Sequence, residues 1–275
     1  MVDPCRNWTR PIRDGKAQMM LKRRLLRSGL AVLLLLGMSV QLSAQTQSQP
    51  PEETATQAPT TLPETFSVTY VLTKGPLSLA EMTRKLYRND AGHYVYESYS
   101  KPIGIARWFT DSTLLEKTEW IYHDDQLRPL HYLYDRDGDK ERLVKLTFDW
   151  DRMRVINDIN HDPWTMNIPS GTLDKLLYHL AVMYDLARGE ETLSYQVADG
   201  GTLKTYEFNK LKSETIETPL GKFETVKLER PGRRDTILWC AKELNYLPVR
   251  IMQEEDGKQL TLKLKSVQGL VEANQ

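Results

Sequence analysis

Leu260-Thr261-Leu262-Lys263-Leu264-Lys265, close to the C-terminal end, decides the fold. Leucine alternates with threonine or lysine, so one side of the chain is apolar and the other polar. A period of two marks a half-buried β-strand. Working back from it, Glu255-Asp256-Gly257-Lys258 reads as a turn, and Leu247-Pro248-Val249 opens a run that reaches Gln253. Thr236 to Cys240 is a further run, separated by Pro231-Gly232 from Phe223 to Arg230. Before that, Pro219-Leu220-Gly221-Lys222 supplies proline and glycine where a tight turn needs them, after a run ending at Ile216. Short turns make neighbouring strands antiparallel, so Glu214 to Val267 is a meander. No residue in it points to chemistry.

The same alternation continues upstream. Phe66, Val68, Tyr70 and Leu72 share a face, with Ser67 and Thr69 opposite. Strand runs follow at Leu77 to Arg88, His93 to Tyr99, Leu114 to Tyr122, through Leu130, Tyr132 and Tyr134, and at Arg142 to Trp150. In the last of these Val144, Leu146, Phe148 and Trp150 align. Met153 to Ile156 and Trp164 to Ile168 complete this half. A looser segment holds Pro102, Gly104 and an exposed-looking Trp108-Phe109. One helix interrupts the strands. Leu173, Leu176, Leu177, Leu180, Tyr184 and Ala187 recur at helical spacing, which predicts a helix from Leu173 to Arg188, capped by Ser170 or Thr172 and closed by Gly189. Val182 and Met183 lie off that stripe, so the helix should be buried on more than one side. Strands resume at Leu193 to Val197, turn at Asp199-Gly200-Gly201 and run through Tyr206 and Phe208. The expectation is a mainly β (α+β) domain over residues 66–270.

The two ends have other characters. Lys22-Arg23-Arg24 and Arg27 precede the apolar run Leu30 to Leu36, extended weakly through Gly37 to Val40, and Leu42-Ser43-Ala44 follows. A basic start, a short apolar core and a small exit residue read as a secretory signal peptide cleaved after Ala44. The run is about a dozen residues, short of the roughly 20 that span a bilayer. An uncleaved inner-membrane anchor is the alternative, and either reading places the domain outside the cytoplasm, in the periplasm. No cysteine follows the run, so lipidation there is excluded. Met1 to Gln18 reads as an extension ahead of Met19 and Met20. Residues 45–65, rich in Gln, Thr and Pro, read as a disordered linker, and 271–275 as a tail.

Composition is that of a globular protein, with 40% hydrophobic and 27% charged residues. Eight of the 37 basic and two of the 37 acidic residues fall in 1–44, which leaves 29 against 35 beyond them, a net of −6. A mildly acidic domain argues against nucleic acid. The two cysteines are Cys5, ahead of the signal, and Cys240, beside Trp239 in a strand, where a lone thiol reads as a small apolar residue.

Chemical motifs are missing. Asp135-x-Asp137-Gly138-Asp139 fails as a calcium loop, because its glycine comes too early and Leu146 stands where Glu is required. Asp158-x-Asn160-x-Asp162 fails too, with Pro163 in place of glycine. The five histidines show no paired ligand spacing, and there is no nucleophile elbow or phosphate loop. No catalytic residue, metal or cofactor is expected, although dispersed carboxylates could meet in space. The 13 Tyr and 6 Trp lie mostly on strands. They either fill the space under the helix or line an apolar groove.

Thr218-Pro219-Leu220-Gly221-Lys222-Phe223-Glu224-Thr225-Val226-Lys227, Thr236-Ile237-Leu238-Trp239-Cys240 and Tyr246-Leu247-Pro248-Val249-Arg250-Ile251 together resemble the bacterial envelope family called "domain of unknown function 3108". Leu127 to Tyr132 and Phe148-Asp149-Trp150 fit it as well, so the resemblance spans about Phe66 to Leu270. Its motifs are turns and strand cores, which identify a family and leave mechanism open. The resemblance implies an open, curved antiparallel sheet, a half-barrel like that of periplasmic lipoprotein carriers, with the helix on its concave face. It favours a binding or carrier protein for a lipid or other hydrophobic envelope ligand, with groove candidates Tyr132, Tyr134, Phe148, Trp150, Leu177, Leu180, Met183 and Tyr184. The alternative is a structural or assembly factor acting through an envelope protein partner. An envelope hydrolase comes last.

Overall fold

The computed structural model describes residues 62–138, 141–255 and 257–270, all within one compact unit, Ala55–Gln275. The expected signal segment with Ala44, most of the linker and the tail lie outside the described residues. A first meander runs through β1 (Phe66–Lys74), β2 (Leu77–Arg88), β3 (Tyr94–Pro102), β4 (Leu114–His123), β5 (Gln126–Arg136), β6 (Arg142–Asp149), β7 (Arg154–Ile159) and β8 (Asp162–Asn167). The short β9 (Leu173–Asp174) and the helix α1 (Tyr178–Ala187) follow. A second meander runs through β10 (Leu193–Asp199), β11 (Thr202–Thr218), β12 (Gly221–Arg230), β13 (Asp235–Ala241), β14 (Leu247–Glu255) and β15 (Lys258–Gln268).

Among the described residues these strands form one large, open, curved sheet, ordered β8 back to β1, then β15 back to β9. Its pairings are antiparallel except that of β9 with β10. β1 and β15 join the two meanders, with Ser67 opposite Gln268 and Leu72 opposite Leu262. The alternation holds in β15, where Leu262 and Leu264 are buried and Lys265 is exposed. Curvature brings the two arms together. The Trp164 ring of β8 lies against Gly201 in the β10–β11 turn. Gly201 has φ +82°, and a side chain there would meet that ring, so the position requires glycine on both counts.

The segment joining the edges β8 and β10 carries β9 and α1. The helix is shorter than its apolar spacing predicts, and the correction has a local cause. The Asp174 carboxylate accepts bonds from the amides of Leu176 (2.8 Å) and Leu177 (2.9 Å), which fixes a turn after β9 and delays the helix to Tyr178. Thr172, expected to cap, instead donates to the Pro169 carbonyl at 2.8 Å. Leu173 has already been taken by β9, opposite Val197. The helix is buried from Tyr178 through Tyr184. Its rings meet Tyr122 of β4 and Tyr206 and Phe208 of β11, while Asp185 accepts from the Tyr195 hydroxyl of β10 at 2.8 Å. It therefore touches both arms of the sheet, and one continuous apolar cluster contains it. Cys240 is buried in that cluster, and burial pushes its thiol far above the usual range, so it packs and does not react.

Candidate functional site

On the sheet face covered by β9 and α1, the antiparallel register sets side chains of β2 to β5 in rungs. The first rung is Leu86, Tyr96, Thr118 and Tyr132; the second is Arg84, Ser98, Glu116 and Tyr134; the third is Met82, Ser100, Leu114 and Arg136. Rungs on one face of a strand follow each other at roughly 7 Å.

The first rung lies against β9. Thr118 donates to Asp174 Oδ1 at 2.9 Å, the oxygen that also takes the two turn amides. Asp174 Oδ2 has no partner, and burial pushes this carboxyl up to about 6 despite the three bonds. Tyr132 donates to Glu116 Oε1 at 2.8 Å, and burial pushes its phenol well up. Lys175 reaches the same oxygen at 3.4 Å, with its Nζ 4.3 Å from the centre of the Tyr134 ring.

The second rung holds the least expected side chain. Arg84 is 5% exposed. Its guanidinium stands 5.7 Å from the centre of the Tyr70 ring and within reach of the Tyr96 hydroxyl. Among the described residues no carboxylate pairs with it, and its Nε has no partner. His179 on α1 is buried as well, with Nδ1 unpartnered. Burial, reinforced by Arg84, Arg230 and Lys175, pushes its imidazole well below the usual range and keeps it neutral.

The third rung opens into an apolar cleft of about 490 Å³. Leu79, Ala80, Pro102, Ile105, Phe109 and Leu114 line it, with Ser100 and Arg136 as polar neighbours. Gly104 at φ +56° turns the chain out of β3 into a 3-10 turn, Gly104–Trp108. Arg107 Nε ties this turn to the Pro102 carbonyl at 3.2 Å, and the Phe109 amide closes it on Ala106 at 3.0 Å. No residue of the turn is buried, and Trp108 and Phe109 stand 88% and 80% exposed. The volume lies within the range of small-ligand pockets, roughly 300–1,000 Å³. Among the described residues no group of three His, Cys, Asp or Glu could hold a metal ion.

Most of the residues singled out from the sequence lie elsewhere. Tyr132, Tyr134, Phe148, Leu177, Leu180, Met183 and Tyr184 are buried in the packed cluster, and Trp150 packs against it half-buried. Phe148 and Trp150 stack at 5.7 Å, the Trp150 indole donates to Pro129 at 2.8 Å, and the Tyr184 hydroxyl accepts from Arg188 at 2.9 Å. Only Tyr132 and Tyr134 belong to the rungs that lead to the cleft. Sequence reasoning noticed Trp108-Phe109 as exposed but missed Arg84, Glu116 and Asp174 as a group. One signal was present: in Ala80-x-Met82-x-Arg84-x-Leu86 a cation interrupts an otherwise apolar face.

A family model described as "Protein of unknown function (DUF3108)" matches residues 65–265. None of the curated proteins matches the sequence. Two of the solved structures that align with this chain are the following. A β-barrel-like protein of domain of unknown function DUF1849 from Brucella abortus has 8% identity, covers 74% of this chain and 96% of its own, and superposes with a TM-score of 0.49. A Parabacteroides distasonis protein described as a candidate lipoprotein has 10% identity, covers 74% of this chain and 95% of its own, with a TM-score of 0.29. Among the described residues no helix is long and apolar enough to cross a membrane.

Proposed function

The chain belongs to the DUF3108 family, and from that premise we propose that it is an exported, non-enzymatic binding or carrier protein for a lipid or other hydrophobic ligand of the cell envelope. The observation that carries this reading is the 490 Å³ cleft under Ile105 and Phe109. Burying an acyl chain there stabilises a complex by about 0.8 kcal/mol per methylene, which needs few polar contacts. In this reading the helix sits on the concave side of a half-barrel and fills it, and the ligand takes the end that the helix leaves open. Trp108, exposed but outside the cleft lining, favours a second reading, in which an envelope protein partner docks on the turn.

The cleft is tested with an uncharged fluorescent probe such as N-phenyl-1-naphthylamine. Phe109→Ser should weaken binding roughly tenfold, since a buried aromatic ring contributes about 1.5–3 kcal/mol. Phe109 is exposed in the free protein, so the same change should leave stability within about 0.5 kcal/mol. A wild type that takes up no probe, or a variant that binds unchanged, rejects the cleft as the ligand site. Export is tested separately. Residues 19–64 fused to a reporter active only in the periplasm should give activity, with cleavage after Ala44. An inactive reporter beside a working control removes the periplasmic assignment.

A further inference from the structure

Ser98 and Ser100 are successive positions of β3 on the covered face, and both are small. The neighbouring rows are taller: Arg84 and Met82 on β2, Glu116 and Leu114 on β4. Ser100 lines the cleft, and Ser98, one rung further along β3, is buried beside Arg84. There a buried guanidinium has no carboxylate partner among the described residues and an unpartnered Nε. The nearest acid along the rung, Glu116 across Ser98, is already engaged by Tyr132 and Lys175. A buried cation without a counter-ion is costly, and a guanidinium offers a planar fork suited to two oxygens at once.

We propose that Arg84 receives the oxyanion head group, a carboxylate or a phosphate, of an amphiphile whose apolar tail fills the cleft under Ile105 and Phe109. The proposal rests on the reading of the cleft as the ligand site. It adds the chemical class of the ligand: a single-tailed acid enters head first and places its charge one rung, roughly 7 Å, past Ser100.

The experiment titrates the full chain with dodecanoate, dodecyl phosphate, dodecanol and dodecylamine, each displacing the uncharged probe. The anions should bind the wild type at least tenfold tighter than dodecanol, as a charge-assisted hydrogen bond contributes, and the amine should bind weakest. The tighter of the two anions identifies the head group. Arg84→Gln should bring both anions down to the level of dodecanol while leaving dodecanol unchanged, and Arg84→Lys should keep part of the preference. Arg136→Gln, at the cleft wall, should leave the preference intact. If dodecanol equals the anions on the wild type, or if Arg136→Gln removes the preference in place of Arg84→Gln, the head-group assignment falls and the cleft stands. If dodecanol and the probe both fail to bind, the cleft reading falls, and the head-group assignment with it. Should Arg84→Gln not fold, the wild-type head-group series and Arg84→Lys decide.

Discussion

Leu177→Ala is expected to lower the free energy of unfolding by about 2–5 kcal/mol, measured by urea titration. Leu177, just before α1, and Leu180 within it are fully buried, and Met183 is nearly so. Truncation removes apolar contacts on all sides and leaves a cavity that the surrounding strands cannot collapse into, because α1 is held from both arms of the sheet. Leu180→Ala should behave alike. The contrast with Phe109→Ser gives the measurement its meaning: one apolar truncation costs stability and the other costs ligand. A loss below about 1 kcal/mol at Leu177 would mean that the helix lines an open groove and that the ligand lies along it.

Asp174 should produce the second large effect. Asp174→Ala strands the amides of Leu176 and Leu177 and the Thr118 hydroxyl without their acceptor. Losing several buried bonds to one carboxylate should cost upwards of about 3 kcal/mol. Asp174→Asn keeps an acceptor in place and removes the buried charge. The native pKa of Asp174, about 6, lies above the ordinary carboxyl value of 3.8. The folded state therefore holds this proton more tightly than the unfolded chain does. The stabilisation from holding it is complete below about pH 4 and is lost as the pH rises through about 6. The rise from 3.8 to about 6 corresponds to roughly 3 kcal/mol. Asp174→Asn should match or exceed the wild type at pH 7.5 and should flatten the stability profile between pH 4 and 6. A wild-type profile without that slope, or an Asn variant as unstable as the Ala variant, would show that the carboxyl is not buried as a strained acid.

The meander was legible because its strands are half-buried, and half-burial writes itself as alternation in Phe66 to Leu72 and Leu260 to Lys265. Two elements were not legible for the same underlying reason. β11 is a single strand from Thr202 to Thr218, but its middle is solvent-exposed and its register slips between Leu211 and Glu214, so charged residues there carry no apolar period. Leu173 fits the helical stripe by position and yet belongs to β9, since burial on every side gives strand and helix the same apolar signature. The cleft and the charged rung lay further from view. Arg84, Ser98 and Glu116 come from three strands, and only the register places them side by side. The aromatic residues of β5, β6 and α1 drew notice by size, and size is what a core selects for.

The order of the strands also fixes a sequence of events in time. β1 is the first strand of the domain, and its partner on one side is β15, the last. Hairpins from β1 to β8 can close as soon as they are made, each from neighbours in the chain. The β1–β15 seam cannot close until the whole domain is available. Until then β1 presents an unpaired edge with Val68, Tyr70 and Leu72 on it, the kind of edge that recruits foreign strands. Long-range β pairing is also slow, so that interval is extended. A chaperone that guards nascent β1 would protect the protein during its most vulnerable stage, and a circular permutant joining β15 to β1 by a short loop should shorten it.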